Sequence, residues 1–183
     1  MSHLECHVYY DSTQQAAPAV ENVDRVESID LNADPAAAHQ LSRLGLSARY
    51  DLPAMLLTEP GGKIRILGLR LSDEEIARLA GGSGIPAEQL TVFSSAWCPD
   101  CRRAKRVIEE AQTSFDEIDI DQDAQSEAVV LQRSGGRRVV PTLRFDDRLW
   151  AFNPDPPLLR RLLNGRPAPA SPAPQAPQGD PNP

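Results

Sequence analysis

At 183 residues and a formal net charge of −7, the chain has room for one medium domain or two small ones, and its acidity argues against nucleic acid or an anionic membrane as partner. Hydrophobic residues make up 40% of it, enough for packed cores, whereas 5% aromatic content and 17 prolines imply that part of the chain packs against nothing. With no apolar run long enough to span a bilayer, no basic-then-apolar leader and an odd three cysteines, the expected setting is a reducing one, the cytoplasm.

In chain order, residues 7–12 read as a strand, and 13–24 as a short or irregular helix interrupted by Pro18. Residues 25–31 alternate like a second strand. Asp34 and Pro35 then open a helix through Leu44 whose apolar face is Ala38, Leu41 and Leu44. Residues 52–57 form a buried-type strand beginning near Pro53, and a turn at Glu59-Pro60-Gly61-Gly62 leads into the partner strand 63–67. Ser72-Asp73-Glu74-Glu75 is a capping box for a helix through Ala80, and the glycines from Gly81 to Gly84 mark a boundary.

The second half opens with the strand Thr91-Val92-Phe93-Ser94, followed by Ser95-Ala96-Trp97-Cys98-Pro99-Asp100-Cys101 and a helix over 98–112 with apolar positions at Cys101, Ala104, Ile108 and Ala111. A strand over 115–120, a helix from about 124 to 134 ending at Gly135-Gly136, strands over 139–145 and 149–152, and a helix near 156–164 complete the pattern. Residues 167–183, with seven prolines among Ala, Gln and Ser, read as an extended, disordered tail.

Cys98 and Cys101 are the chemically distinctive pair. Two thiols three residues apart on the first turn of a helix can close a disulfide. The unpaired N–H groups and positive dipole end of that helix favour a thiolate, lowering a cysteine pKa from about 8.5 toward roughly 3.5–7.5. Cys98 is therefore the expected nucleophile, and Cys101, one turn further in, the resolving thiol. Pro99 suits the first helical turn. Arg102, Arg103, Lys105 and Arg106 add positive potential, although Asp100 opposes a second anion nearby. Zinc ligation and a structural disulfide are the competing readings; zinc needs two further ligands, and Cys6, His3, His7 and His39 all lie in the other half. His3, Cys6 and His7 are read as a solvated N-terminus, so no metal site is expected.

The halves correspond residue by residue. Ile29-Asp30-Leu31 lies over Ile118-Asp119-Ile120, Asp34 over Asp123, and Leu52-Pro53-Ala54 over Val140-Pro141-Thr142, with isoleucine-to-proline spacings of 24 and 23 residues. An internal duplication follows. Where the second half has its cysteines, the first has Thr13-Gln14-Gln15-Ala16 and no thiol.

Residues 91–164 resemble a glutaredoxin-like member of the thioredoxin superfamily, nearest its mycoredoxin-like branch. The resemblance rests on Thr91-Val92-Phe93, Trp97-Cys98-Pro99-Asp100-Cys101, Ile118-Asp119-Ile120-Asp121, Gly136-Arg137-Arg138-Val139-Val140-Pro141-Thr142 and Asn153-Pro154. It implies an α/β chain of two tandem thioredoxin-like, glutaredoxin-type domains, each a small mixed four-stranded sheet flanked by helices. The expected division is a degenerate domain over 1–82, a linker over 83–89, a redox domain over 90–165 and the tail over 166–183.

It further implies Cys98 as nucleophile, Cys101 as resolver and a cis peptide bond before Pro141, with Val140 offering backbone to the substrate; Trp97 and Pro99 are expected to contact the substrate as well, Trp97 alternatively covering the turn. Glutathione-using glutaredoxins carry a Gly-Gly and an acidic pair where this chain has Phe152-Asn153-Pro154-Asp155. Thioredoxins proper have Gly-Pro between the cysteines, though a thioredoxin-related branch shares the Trp-Cys-Pro-Asp-Cys string.

The expected activity is that of a redox-active centre in electron transport: reduction of protein disulfides or of mixed disulfides with a low-molecular-weight thiol, with no bound cofactor. An external thiol or a flavin-dependent disulfide reductase would donate the electrons. The alternative is a redox-sensitive adaptor built on two thioredoxin-like frames, in which the cysteines switch binding rather than turn over.

Overall fold

The computed structural model describes residues 4–18 and 26–164. The first half contributes β1 (Glu5–Tyr10), β2 (Val26–Asp30), α1 (Pro35–Arg43), β3 (Ala54–Glu59), β4 (Lys63–Gly68) and α2 (Asp73–Ala80). The second contributes β5 (Leu90–Ser94), α3 (Pro99–Glu110), β6 (Asp116–Asp119), α4 (Ala124–Arg133), β7 (Thr142–Phe145), β8 (Leu149–Phe152) and α5 (Pro156–Leu163).

Local chemistry sets most of the helix starts. Asp34 accepts the N–H groups of Ala36 and Ala37 ahead of α1, and Ser72 and Glu75 close the capping box of α2. Asp123 caps α4 and Asp155 caps α5. β3, buried at all but its last residue, and β8, buried throughout, carry apolar side chains on both faces. Such strands need cover above and below. α2, α3 and α5 pack on one face of the sheet and α1 and α4 on the other, giving two separate apolar layers.

The expected pair of four-stranded sheets is instead a single eight-stranded sheet in the order β2-β1-β3-β4-β8-β7-β5-β6. β4 and β8, each of which would be an edge strand in its own half, pair antiparallel through Ile66↔Ala151, Leu67↔Trp150 and Gly68↔Leu149. The reason is physical: an apolar strand edge with unpaired N–H and C=O groups is a liability, and pairing the two edges removes both. Read from either end, the order is the same, a parallel outer pair followed by two antiparallel partners. Because β4 and β8 run antiparallel, the two halves point in opposite directions. Arginines stitch the seam: Arg65 donates to Asn153 O at 2.7 Å, Arg148 to Arg70 O at 2.8 Å, and Arg133 to Leu44 O and Gly45 O at 3.2 Å each.

Residues 83–89, expected as a linker, carry Ile85 and Ala87 into the same apolar layer as α2, α3 and α5. A Cβ on Gly84 would stand 2.0 Å from the carbonyl oxygen of Leu162. Overpacking against backbone costs about 1–3 kcal/mol, so Gly84→Ala should lower the denaturation midpoint accordingly; an unchanged urea titration would show that α5 is free to shift.

Several local expectations are revised. β1 begins at Glu5, and Cys6 is buried and packed in the core rather than solvated. Both β3 and β7 start only after their prolines, Pro53 and Pro141, and both X-Pro bonds are cis. The expected first helix of the first half falls on a turn at residues 12–14 and on residues outside those described. The tail over 166–183 also lies outside the described residues.

Candidate functional site

β5 and β7 run antiparallel with Phe93 opposite Thr142, so the exit of β5 and the entry of β7 meet at one end of the sheet. The loop carrying Trp97 and Cys98 leaves from the first, and the segment ending at Val140-Pro141 arrives at the second. Asn153 N–H, just past β8, donates to Pro141 O at 2.8 Å, and Thr142 Oγ1 donates to Val139 O at 2.8 Å. These bonds hold the cis-proline segment against the sheet. Val140 is half-buried and Pro141 buried.

Cys98 is the N-cap of α3, with Pro99 at the first helical position, and its Sγ accepts the N–H of Cys101 at 2.9 Å. The two cysteines are joined by a disulfide with their Cα atoms 5.2 Å apart. Cys101 is buried at 1% exposure, whereas Cys98 is only half-buried, so the first sulfur is the accessible one. Trp97, beside it, is 88% exposed. Sulfur at an N-cap takes the place of an oxygen acceptor, and the same N–H that caps the helix stabilises a thiolate.

The third cysteine sits in a different environment. Cys6 lies in β1 in the other half, and burial pushes its thiol up to about 12. At neutral pH it is a protonated core residue rather than a nucleophile.

Sequence reading underrated one group of polar residues. Arg138 donates through Nε to Glu127 at 2.6 Å and through a second nitrogen to Asp121. Asp121 also accepts from Ser95 Oγ at 2.6 Å. The Ser95 hydroxyl, together with the Arg138 guanidinium, outweighs desolvation and holds the Asp121 carboxyl below its usual range. Ser95 precedes Cys98 by three residues and Arg138 precedes Pro141 by three, so one carboxylate ties together the two loops that flank the disulfide. The signal was visible as an Asp just past β6, but the partners it reached lie on loops 26 and 17 residues away in the chain.

The first half has the mirrored strand order but no cysteine pair. After β1, Asp11 accepts from the Thr13 hydroxyl at 2.6 Å and from Asn32 Nδ2 at 2.6 Å, as well as from Gln14. These donors, the Thr13 hydroxyl foremost, pull its carboxyl down to about 2. The loop is tied to itself by a carboxylate and offers no nucleophile.

The four-stranded portion β6-β5-β7-β8, with a cysteine pair at the start of α3 and a cis-proline beside it, defines a thioredoxin-superfamily architecture in the second half. Comparison with known proteins agrees. The glutaredoxin family model matches residues 90–150. Mycoredoxin 1 of Corynebacterium glutamicum is 35% identical over 65 residues, covering 36% of this chain and 80% of that protein. Glutaredoxin 1 of Rickettsia conorii is 30% identical over 92 residues, covering 46% of this chain and 89% of its own. Among solved structures, the glutaredoxin-like protein NrdH-redoxin from Escherichia coli is 26% identical, with a TM-score of 0.36 over 45% of this chain and all of that one.

The chain belongs to the glutaredoxin family. That places it, at the level of the family, among thiol–disulfide oxidoreductases. Among the described residues no helix is long and apolar enough to cross a membrane.

Proposed function

We propose that this chain reduces disulfides through Cys98 and Cys101. The observation that carries the reading is the N-cap position of Cys98, half-accessible, with the Cys101 N–H aimed at its sulfur. In the reduced protein the Cys98 thiolate attacks one sulfur of a substrate disulfide, expels the other as a thiolate and forms a mixed disulfide. The Cys101 thiolate then displaces the substrate sulfur and closes the Cys98–Cys101 bond. Two electrons have passed to the substrate, and an external thiol or a flavin-dependent reductase restores the dithiol. Trp97 and Pro99 flank the attacking sulfur, and Val140 presents backbone beside it.

The first half, residues 1–82, reads as a degenerate repeat of the same frame. Its mirrored strand order and its own cis-proline at Pro53 support that reading. Its role is to cover the edge of β8 rather than to exchange disulfides, because its loop carries Thr13-Gln14-Gln15-Ala16 where the second half carries the cysteine pair. A redox-switched adaptor is the competing function, favoured by the same half, which lacks a cysteine pair. Steady-state turnover on a low-molecular-weight mixed disulfide and on a protein disulfide, with reductant supplied, separates the two: an enzyme cycles, whereas a switch exchanges once.

Asp121 acts in this reading as a positioning residue. Asp121→Asn, which loses the charge that holds Ser95 and Arg138, should raise KM several-fold while leaving the pH dependence of Cys98 alkylation unchanged. Because its pKa is lowered, the clamp is complete above the ordinary carboxylate range and is lost only as pH falls through the lowered value. An altered alkylation profile with unchanged KM would instead assign Asp121 to the thiol itself.

A further inference from the structure

The charges along α3 are not evenly satisfied. Arg103 pairs with Asp100 at 3.0 Å, Lys105 with Glu117 at 2.8 Å, and Glu110 with Arg160 at 3.2 Å. Arg102 and Arg106 are exposed and have no side-chain ion pair or hydrogen bond among the described residues. They stand four residues apart on one stripe of the helix, the stripe that begins beside Cys98. The acidic group nearest Cys98 on the helix, Asp100, is already paired. At the head of the stripe lies Trp97, 88% exposed. A chain of net charge −7 thus presents, beside the accessible Cys98 sulfur, an indole and two unpaired guanidinium groups. Exposed Trp and Arg together are the residue types that anchor protein interfaces.

We infer that the disulfide substrate is a protein segment whose cysteine is followed by acidic side chains, docked along Trp97, Arg102 and Arg106. This deepens the proposed function and rests on it. Spacing narrows the segment further. At 1.5 Å rise per residue, Arg102 and Arg106 lie about 6 Å and about 12 Å along the helix from Cys98. An extended peptide advances about 3.3 Å per residue and turns alternate side chains to one side. The acidic residues therefore fall at the second and fourth positions from the reactive cysteine, as Cys-x-Glu-x-Glu.

The test uses the full chain, reduced beforehand with dithiothreitol and then freed of it. Three short peptides carry a cysteine in mixed disulfide with thionitrobenzoate, followed by x-Glu-x-Glu, x-Lys-x-Lys or x-Gln-x-Gln. Cys98 thiolate attacks the peptide sulfur and expels thionitrobenzoate, whose colour reports the rate. Cys101 thiolate then releases the peptide thiolate. The protein dithiol loses two electrons and two protons; the peptide thiolate takes up one proton and solvent the other.

Steering by unpaired charge alters encounter rates by about tenfold or more at low salt. The Glu peptide should react at least about tenfold faster than the Lys peptide, and the ratio should fall toward one at about 0.5 M salt. Arg102→Gln with Arg106→Gln should bring the ratio to about one at low salt, both side chains being exposed and unneeded for folding. Equal rates for all three peptides in the wild type, or a ratio unchanged in the double variant, would overturn the inference while leaving disulfide exchange standing. Release from none of the peptides would instead overturn the exchange reading on which it rests.

Discussion

Replacing Cys98 by serine should abolish disulfide reduction, lowering the rate by on the order of 10³-fold or more, to the uncatalysed background. The argument is one of geometry and acidity. Cys98 is the sulfur that solvent reaches, while Cys101 is buried beneath it at 1% exposure. A serine hydroxyl at the same N-cap accepts the Cys101 N–H equally well, so the helix and the fold should survive. What is lost is the sulfur nucleophile. Cys6 provides no rescue, since burial holds its thiol at about 12. Cys101→Ser is the informative partner: it should still attack a mixed disulfide, but on a protein disulfide it should stop at a covalent complex, visible by mass spectrometry. Residual turnover in Cys98→Ser, measured in the presence of a full reducing system, would move the nucleophile elsewhere.

The second large effect falls on stability, at the centre of the joined sheet. Trp150 lies opposite Leu67 of the first half and Arg144 of the second, stacks on Phe93 with ring centroids 5.7 Å apart, and has the guanidinium groups of Arg133 and Arg144 at 6.0 and 5.8 Å from its ring. Trp150→Ala should cost about 3–5 kcal/mol in urea denaturation, the range for emptying a buried aromatic site. Its indole N–H, however, is buried with no hydrogen-bond partner among the described residues. A buried donor left unpaired costs about 1–3 kcal/mol. Trp150→Phe removes that donor while keeping the stacked ring, so its loss should be within about 1 kcal/mol of zero. A phenylalanine variant as damaged as the alanine one would show that the indole N–H is satisfied in solution. Since Trp150 bridges both halves, its loss should shift one transition of the whole chain rather than split it in two.

The two predictions draw on different kinds of information. The cysteine pair was legible because its chemistry is local: strand formers from Thr91, a turn, Pro99 at a first helical position and sulfurs one turn apart are all set by near neighbours in the chain. The helix caps Asp34 and Ser72 were equally local. Local signals were weaker where backbone geometry depends on burial. β3 and β7 begin one residue after their prolines, and Cys6 proved to be a core residue because β1 pairs on both sides, with β2 and β3.

The sequence by itself determined the cysteine pair, most of the elements and the family, because hydrophobic period, capping residues and cysteine spacing are read over a few positions at a time. Only the tertiary structure decided that the two halves share one eight-stranded sheet, that residues 83–89 are packed, and that Asp121 joins the two loops beside the disulfide. Each of these depends on groups far apart in sequence meeting in space: two exposed apolar edges with unpaired backbone, a glycine against a distant carbonyl, and a carboxylate reached by a hydroxyl and a guanidinium from separate loops. No short-range pattern encodes such meetings. They are settled by which surfaces must leave water together.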